Sequence, residues 1–324
     1  MAKLRYAEAL NQALCEEMER DPAVWLLGED IGVYGGVFKV TRDLMERFGE
    51  ERVRDTPISE QALTAMTVSA AMTGTRPVLE IMYADFLPLT VDALANQASI
   101  YNYIWAGQVE LPFVLRTQGG GGAGAGAQHS KSLDAFVAHI PGLKVVAPAS
   151  PADAKGLLKA AIRDPHPVIF LEHKLLYNMR GEVPDGEHVA EIGRAAVLRE
   201  GRDVSVFATS RMVHEALKAA EALSAEGIEA EIVDLRTLRP LDLSAIVASV
   251  EKTNHAVVVN EGWTFCGYGA ELSATIMDHA FDALDAPVER VGTLDMPIPY
   301  SEPLEMAVLP DAGRIAQACR RAVA

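Results

Sequence analysis

The chain has 324 residues, enough for two domains of ordinary size, and 49% of them are hydrophobic, so a substantial core can form. Its formal net charge of −16 argues against a surface for nucleic acid or for an anionic membrane. The three cysteines form no Cys-x-x-Cys pair, and the N-terminal segment lacks the continuous apolar stretch of a signal peptide. These features predict a cytoplasmic protein without a disulfide framework.

Short apolar runs alternate with helical periodicity along the first half of the chain. This alternation predicts a parallel sheet covered by helices. The predicted strands are Val24–Leu27, Arg76–Ile81, Pro112–Arg116, Leu143–Ala147 and Val168–Glu172. The predicted helices are Tyr6–Arg20, Ser59–Thr73, Leu87–Tyr103 and Pro151–Arg163. In the second of these helices, Ser59 is a favourable N-cap and Gly74 a favourable terminator.

A looser segment, His173–Gly193, contains Pro184 and several glycines and is predicted to link two domains. After it, the alternation of strands and helices resumes on a smaller scale. The predicted strands are Asp203–Ala208, Glu229–Asp234, Ala256–Asn260 and Val288–Val291, and the predicted helices are Arg211–Ala225, Leu243–Val250 and Ala270–Phe281. We therefore expect one α/β domain over residues 1–185 and a second over residues 186–324.

The most unusual local feature is a run of glycines and alanines, Gly119–Ala127, which follows the predicted strand Pro112–Arg116 and leads into Gln128 and His129. Glycine loses much conformational entropy when it becomes ordered. Such a run is therefore either a flexible linker or backbone that a ligand approaches closely. In the second case, a histidine at its end is a candidate acid or base in a cleft.

Gly119, Gly121 and Gly124 also match the spacing of a dinucleotide-binding fingerprint, so an NAD-dependent oxidoreductase is an alternative. That fingerprint requires a helix that starts in the glycines and an acidic residue at the end of the next strand. Here the next predicted strand, Leu143–Ala147, is followed by Pro148 and no acidic residue ends it. The sequence therefore disfavours a dinucleotide site but leaves the alternative open.

Two acidic positions lie where predicted strands end, at the edge where open α/β sheets bind ligands. Glu29 and Asp30 follow Val24–Leu27, and Glu60 opens the predicted helix Ser59–Thr73. The helix dipole stabilises a carboxylate in the first turn, and this structural role is one interpretation of Glu60. The other interpretation is a buried acid or base in a functional site.

Six stretches of the chain together resemble the β subunit of the thiamin-diphosphate-dependent 2-oxo acid dehydrogenases, in the same order and spacing. They are Gly28–Thr41, Arg52–Glu60, Gly126–Ser132, Pro141–Asp164, Val233–Asp242 and Leu284–Val291. The resemblance implies a pyrimidine-binding α/β domain followed by a transketolase C-terminal-like α/β domain. It also implies a heterotetramer of two α and two β chains with active sites at α/β interfaces. In this family the α chain carries a Gly-Asp-Gly motif that holds the cofactor diphosphate through Mg²⁺. This chain contains no such motif, so the resemblance implies that it provides half of an active site.

The resemblance also implies roles for individual residues of the first domain. Glu60 matches the glutamate that hydrogen-bonds a pyrimidine nitrogen of thiamin diphosphate, and Glu29 matches a second acidic residue near it. Ile58, Met82 and Phe86 match positions that line the pyrimidine pocket, Phe86 by its aromatic ring.

Two further sites are implied by the resemblance. His129 matches a histidine at the mouth of the site, where it would orient the substrate carboxylate or protonate the lipoyl thiolate. A potassium site is implied near Ala161, Ile162 and Asp164.

The activity that the resemblance implies is oxidative decarboxylation of a 2-oxo acid, with acyl transfer to the lipoyl-lysine of a dihydrolipoyl acyltransferase. The segment Glu80–Phe86 is more similar to branched-chain and bacterial pyruvate or acetoin types than to animal pyruvate enzymes. We expect a branched-chain substrate, with pyruvate next and an acetoin dehydrogenase β subunit as an alternative. A non-catalytic subunit that only supports its α partner is an alternative from another class, beside the NAD-binding oxidoreductase.

Overall fold

The computed structural model describes all 324 residues, and the contacts between them divide the chain into two units. Unit 1 comprises Met1–Gly119 and Phe136–Ile192, and unit 2 comprises Gly120–Ala135 and Gly193–Ala324. Most of the glycine-rich run therefore belongs to unit 2, although the strand before it belongs to unit 1. The predicted domain boundary between residues 185 and 186 stays a prediction.

Unit 1 is built around parallel strands, as the alternation of elements predicts. Its strands are β1 Ala2–Arg5, β2 Val24–Gly28, β3 Val53–Asp55, β4 Arg76–Ile81, β5 Val114–Gly119, β6 Lys144–Val146, β7 Val168–His173 and β8 Arg180–Val183. Six of them lie side by side in the order β6-β7-β5-β4-β2-β3, and every neighbouring pair is parallel.

The helices of unit 1 cover this sheet. They are α1 Tyr6–Arg20, α2 Leu44–Phe48, α3 Glu60–Met72, α4 Leu87–Ala93, α5 Tyr101–Ile104 and α7 Pro151–Arg163, while α6 Asp134–Ala138 crosses the division between the units. Helices α1 and α7 have the predicted bounds. Ser150 caps α7 by accepting a hydrogen bond from the Asp153 amide at 3.1 Å, and Pro151 provides a first helical residue that needs no amide partner.

The predicted helix Leu87–Tyr103 is wrong as a single helix. It consists of α4, a π-helical stretch Leu94–Ala98 and the short α5. The Ser99 amide donates to the Leu94 carbonyl at 3.0 Å, which widens the turn. A Cβ on Gly142 would lie 2.2 Å from the Ser99 carbonyl oxygen, so another part of the chain packs tightly against this widened turn.

The segment His173–Gly193 is more ordered than the predicted linker. Strand β8 lies inside it and pairs antiparallel with β1, with Ala2 opposite Val183 and Arg5 opposite Arg180. Both strands are largely exposed and carry no continuous apolar pattern, so only their mutual hydrogen bonds identify them.

Unit 2 contains a second α/β sheet. Its strands are β9 Ala196–Arg199, β10 Val204–Ala208, β11 Ala230–Asp234, β12 Thr237–Arg239, β13 Ala256–Trp263 and β14 Glu289–Thr293. Five of them follow the order β14-β13-β10-β11-β9, and only β9 is antiparallel to its neighbour. The helices are α8 Arg211–Ser224, α9 Leu243–Thr253, α10 Tyr268–Ala280, α11 Glu302–Val308 and α12 Ala312–Ala322.

Short 3₁₀ turns at Ala84–Phe86, Lys174–Leu176 and Phe281–Ala283 complete the regular structure. None of the helices is long and apolar enough to cross a membrane.

Candidate functional site

Three neighbouring strands of unit 1 bring the predicted acidic residues to one edge of the sheet. Strand β2 lies between β4 and β3, with Gly28 opposite both Glu80 and Asp55. Because the three strands are parallel, the segments that follow them leave from the same edge. Glu29 follows β2, Met82 follows β4, and the segment after β3 leads to Glu60.

Backbone hydrogen bonds tie these segments together. The Thr56 amide donates to the Gly28 carbonyl at 3.0 Å, and the Asp55 carboxylate accepts from the Gly32 amide at 2.6 Å. A Cβ on Gly32 would lie 2.6 Å from an Asp55 carboxylate oxygen, so glycine permits this close approach without a shift of the carboxylate. The segment after β2 is therefore fastened to the end of β3.

Glu60 is the first residue of α3 and is only 7% exposed. Ser59 stands at the N-cap as predicted, but its side chain makes no capping hydrogen bond. Gly74 follows the C-cap with φ +89°, a left-handed conformation that ends the helix. The buried carboxyl of Glu60 is thus at the positive end of a helix, at the edge of the sheet.

Glu29 has an incompletely satisfied carboxyl group at this edge. Its side chain is half-buried, and the oxygen Oε1 is buried without a hydrogen-bond partner. Burial raises the pKa of Glu29, and the negative charges of Glu60, Asp30 and Glu80 raise it further. A carboxyl group in this environment retains its proton more readily than a free glutamate.

The three residues predicted to line the pyrimidine pocket lie around the same edge but differ in exposure. Ile58 precedes α3 and is 78% exposed. Met82 directly follows β4 and is half-buried, and its peptide bond to Tyr83 is cis. Phe86 ends the 3₁₀ turn after that strand and is also half-buried.

A buried ionic network lies beneath this edge, and none of its members is among the predicted site residues. Arg116 in β5 donates to Glu172 at 2.7 and 2.9 Å and to Glu80 at 2.7 Å. The Gln118 amide donates to the other oxygen of Glu80 at 2.8 Å, and the Tyr177 hydroxyl donates to Glu172 at 2.5 Å. All five residues are buried. Burial opposes the charge of Arg116, but Glu172 and Glu80 outweigh this effect and raise its pKa.

One signal in the sequence points to this network. Each of the strands β4, β5 and β7 carries a charged residue directly after apolar residues that are mostly buried: Glu80, Arg116 and Glu172. Charged residues are rarely fully buried unless they are paired. Such residues in buried strands therefore predict mutual ion pairs, and Glu80 lies opposite Arg116 in the register of the sheet.

The glycine-rich run is an ordered loop of unit 2, and its glycines follow an alternating pattern. Four of them have positive φ angles between +66° and +90°, namely Gly120, Gly122, Gly124 and Gly126. The intervening residues Gly121, Ala123 and Ala125 do not have positive φ. Alanine thus occurs only where the backbone tolerates a Cβ.

Two of these glycines are also required by close packing. A Cβ on Gly121 would lie 2.8 Å from the Leu309 side chain, and a Cβ on Gly126 would lie 2.4 Å from the Tyr300 ring. The run is therefore backbone that packs closely against the C-terminal part of its own unit, which is a structural reason for its composition.

Two buried glutamates of unit 2, both absent from the predicted site, accept hydrogen bonds from this loop. Glu305 in α11 accepts from the Gly122 amide at 2.8 Å and from the Gly124 amide at 2.9 Å. Glu261 in β13 accepts from the Gly121 amide at 2.8 Å. Sequence offers no signal for these contacts, because the partners are far apart in the chain.

The same loop carries His129, which is half-buried and whose amide donates to the Gly126 carbonyl at 3.2 Å. No helix begins within the glycines, since the next helix is α6 at Asp134. The geometry required for a dinucleotide fingerprint is therefore not formed. His129 lies in unit 2, whereas the predicted acidic and pocket residues lie in unit 1.

The predicted potassium position is already approached by a cationic side chain. The Arg76 guanidinium donates to the carbonyl oxygens of Ile162 and Asp164 at 2.9 and 3.2 Å, and the Ala161 carbonyl accepts from the Asp164 amide at 3.3 Å. Across the chain, no cluster of three or more His, Cys, Asp or Glu side chains could hold a metal ion. These carbonyls fit a potassium ion poorly, because two of them already accept from the cationic guanidinium of Arg76, which would repel the ion.

Comparison with family models divides the chain into two matched regions. Residues 2–180 match the transketolase pyrimidine-binding domain, and residues 193–315 match the transketolase C-terminal domain.

Curated relatives match almost the whole chain. The chain is 48% identical over 319 residues to subunit beta-2 of the mitochondrial pyruvate dehydrogenase E1 component of Oryza sativa subsp. japonica, covering 97% of this chain and 85% of that one. It is 46% identical over 329 residues to the β subunit of acetoin:2,6-dichlorophenolindophenol oxidoreductase of Cupriavidus necator, covering 98% and 97%.

Among solved structures, the chain is similar to a split-gene transketolase described as an inactive β4 tetramer. The TM-score is 0.81 at 26% identity, and the similarity covers 99% of this chain and 98% of that chain. The family models and this solved structure therefore confirm the predicted fold, two α/β domains of the transketolase type.

Proposed function

This chain belongs to the family of E1 β subunits of the thiamin-diphosphate-dependent 2-oxo acid dehydrogenases, and we propose that it provides the acidic half of their active site. In this family the β subunit works with an α subunit in a heterotetramer. The observation that carries the proposal is the pair Glu29 and Glu60 at one edge of the unit 1 sheet, where Glu29 has a buried oxygen without a partner.

The residues at this edge fit the pyrimidine part of thiamin diphosphate. An aminopyrimidine ring offers nitrogen atoms that share or accept a proton, and the buried carboxyl of Glu60 is suited to such a partner. The unpartnered oxygen of Glu29 leaves a second hydrogen bond to be made. Phe86 and Met82, both half-buried beside the edge, would contact the ring, and the bound ring would cover the exposed Ile58.

When bound, thiamin diphosphate supplies the carbon nucleophile and the electron sink for decarboxylation. Glu60, at the start of α3, would hold a proton at the pyrimidine nitrogen. Glu29 contributes a second carboxyl group that takes up or returns a proton within the same pocket. His129 orients the substrate carboxylate or gives a proton to the lipoyl thiolate.

Several partners complete the proposal. The α subunit would hold the cofactor diphosphate through Mg²⁺, and a dihydrolipoyl acyltransferase would receive the acyl group on its lipoyl-lysine. Potassium is left out of the proposal because Arg76 donates to the carbonyl oxygens concerned. The cytoplasmic location stays a prediction from composition.

We propose pyruvate as the principal substrate, because the pyruvate dehydrogenase β subunits are among the most similar relatives. The branched-chain preference favoured by the segment Glu80–Phe86 has no support among the relatives compared. Acetoin is the second candidate, since an acetoin-oxidising β subunit is 46% identical.

The function is tested with the chain co-expressed and purified with its α partner. Oxidation of pyruvate, 3-methyl-2-oxobutanoate and acetoin in the presence of thiamin diphosphate and Mg²⁺ is measured with dichlorophenolindophenol as electron acceptor. We expect turnover of pyruvate, and a loss of about a hundredfold or more for Glu60→Gln because the proton at the pyrimidine nitrogen is no longer controlled. Glu46→Gln, an exposed glutamate of unit 1, is the matched control and should keep wild-type activity.

The alternatives give different outcomes in the same assay. Near-normal turnover of Glu60→Gln in an intact heterotetramer would favour a subunit that only supports its α partner. A higher kcat/KM for 3-methyl-2-oxobutanoate or acetoin than for pyruvate would replace the proposed substrate but retain the mechanism.

A further inference from the structure

Glu305 is fully buried, and its carboxylate accepts hydrogen bonds from the glycine-rich loop. The two oxygens accept separate hydrogen bonds, Oε1 from the Gly122 amide at 2.8 Å and Oε2 from the Gly124 amide at 2.9 Å. Hydrogen bonds to an ionised acceptor are stronger than neutral ones, and a buried carboxylate that loses them is strongly disfavoured.

The alternating backbone conformation makes this contact possible. Gly122 and Gly124 both have positive φ, and the residue between them does not, so the loop presents two amides to one carboxylate. Successive backbone amides in such a turn form a concave site for an anion. Here the anion is a side chain of the same unit, so the loop is fixed from within unit 2.

Further contacts fix the remainder of the loop. The Gly120 amide donates to the Lys131 carbonyl at 3.1 Å, which closes the loop on itself. The Gly121 amide and the Ser132 hydroxyl donate to Glu261 at 2.8 and 3.2 Å. His129 lies between these points, and its own amide bonds to Gly126. The position of His129 therefore depends on the anchored glycines on one side and on Ser132 on the other.

We propose that Glu305 is a positioning residue, which acts through the glycine-rich loop to hold His129 in place for acyl transfer to the lipoyl group. This inference rests on the proposed function. In that step the lipoyl disulfide is the two-electron oxidant, and its S–S bond breaks. One sulfur would bond to the acyl carbon while that carbon's hydroxyl loses its proton and its bond to the cofactor breaks. The other sulfur leaves as a thiolate and takes up a proton, for which His129 is the donor.

Hydrogen exchange tests the contact independently of any activity. In the purified α/β complex, Glu305→Gln should increase the exchange rate of peptides covering residues 119–128 at least tenfold. The amide of glutamine offers one acceptor in place of two, which leaves one glycine amide without its bond. Glu302→Gln changes an exposed glutamate of the same helix and should leave the exchange unchanged. Equal exchange in wild type and Glu305→Gln would overturn the proposal.

A double-mutant comparison tests whether Glu305 acts through His129. We expect Glu305→Gln to slow acylation of a lipoylated acyltransferase domain at least tenfold but to change dichlorophenolindophenol reduction less than twofold. The double variant with His129→Ala should be no slower in acylation than His129→Ala alone. Losses that multiply would show that Glu305 does not act through His129, and equal losses in the two assays would overturn its role in acyl transfer.

A second variant perturbs the contact from the loop side. A Cβ on Gly124 has no neighbour within 4 Å, but its φ of +66° disfavours alanine, so Gly124→Ala strains the loop while Glu305 is retained. We expect Gly124→Ala to show the same acylation defect, so it can replace Glu305→Gln as the test if that variant does not fold. Acylation at the wild-type rate by Gly124→Ala would contradict the proposal. If the wild-type complex acylates no lipoyl domain, the proposed function fails, and the exchange experiment still decides whether Glu305 anchors the loop.

Discussion

Two sets of buried carboxyl groups in this chain differ in how they are satisfied. In unit 2, Glu305 accepts two glycine amides, and Glu261 accepts another at 2.8 Å. At the sheet edge of unit 1, Glu29 has a buried oxygen without a partner and lies close enough to Glu60 for that charge to raise its pKa. A carboxylate with complete hydrogen bonding stabilises a fold, whereas one that is left incomplete has capacity for a ligand or a proton.

The network around Arg116 adds a third arrangement, in which buried charges of opposite sign compensate each other. Arg116 binds Glu172 and Glu80, and Glu80 in turn contributes to the raised pKa of Glu29. Glu29, which lacks a hydrogen-bond partner for one oxygen, thus lies next to a network in which every charge is paired. Substitutions in the three arrangements should therefore differ in their effects on stability and activity.

The largest effect is expected for Arg116→Met. The substitution leaves the carboxylates of Glu80 and Glu172 buried without their cation, which costs about 3–5 kcal/mol of unfolding free energy. Urea unfolding of the purified complex measures this loss. Arg320→Met is the matched control, since Arg320 also binds one glutamate, Glu226, through two nitrogens at 2.8 and 2.6 Å, but on the exposed surface.

The control should lose less than about 1 kcal/mol, because exposed ion pairs contribute little. Equal losses for the two arginine variants would contradict the view that burial decides the contribution of the network.

A pH-dependent effect of intermediate size is expected at Asp134 in unit 2. The carboxyl accepts from the Asn260 amide at 2.5 Å, and burial raises its pKa to about 6. Because the pKa in the folded state is raised, the stabilisation from this group is complete below about pH 4 and is lost as the pH rises through about 6. Asp134→Asn remains neutral and should therefore be more stable than wild type by up to about 3 kcal/mol at pH 8.

The gain in unfolding free energy of Asp134→Asn over wild type should be smaller at pH 5 than at pH 8, as measured by urea unfolding at the two pH values. Asp282→Asn, which changes an exposed residue of the same unit, should show no such dependence. An advantage that is independent of pH would mean that Asp134 is not neutralised on folding.

Sequence reasoning recovered the elements whose stability comes from local patterns. Helix α1 has the predicted bounds because Tyr6, Leu10, Leu14 and Met18 form one buried stripe at helical spacing. Strands β1 and β8 were missed, since they are exposed and exist through pairing between residues such as Ala2 and Val183. Local sequence contains no information on such a distant partner.

The candidate site divides in the same way. Glu29 and Glu60 could be predicted because each follows or opens an element that is strongly patterned. The alternation of φ in the glycine-rich run explains which positions are alanine, but it depends on contacts to Glu305, Leu309 and Tyr300 that only the fold brings together. The sequence therefore shows that the run has an unusual composition, but the contacts that explain this composition could not be predicted from it.

The smallest effect is expected for Glu29→Gln, which changes the carboxyl group that has a buried oxygen without a hydrogen-bond partner. The raised pKa means that ionised Glu29 disfavours the folded state as the pH rises, so the neutral glutamine should not lower the unfolding midpoint at pH 8. Turnover of pyruvate should nevertheless fall about tenfold, because an amide cannot take up and return a proton. Stability that is preserved while activity is lost separates a reactive carboxyl group from a structural one. If Glu29→Gln instead unfolded at lower temperature and retained full turnover in the heterotetramer, then Glu29 would belong with Glu80 and Glu172 among the structural carboxylates. Glu60 alone would then provide the acid of this site.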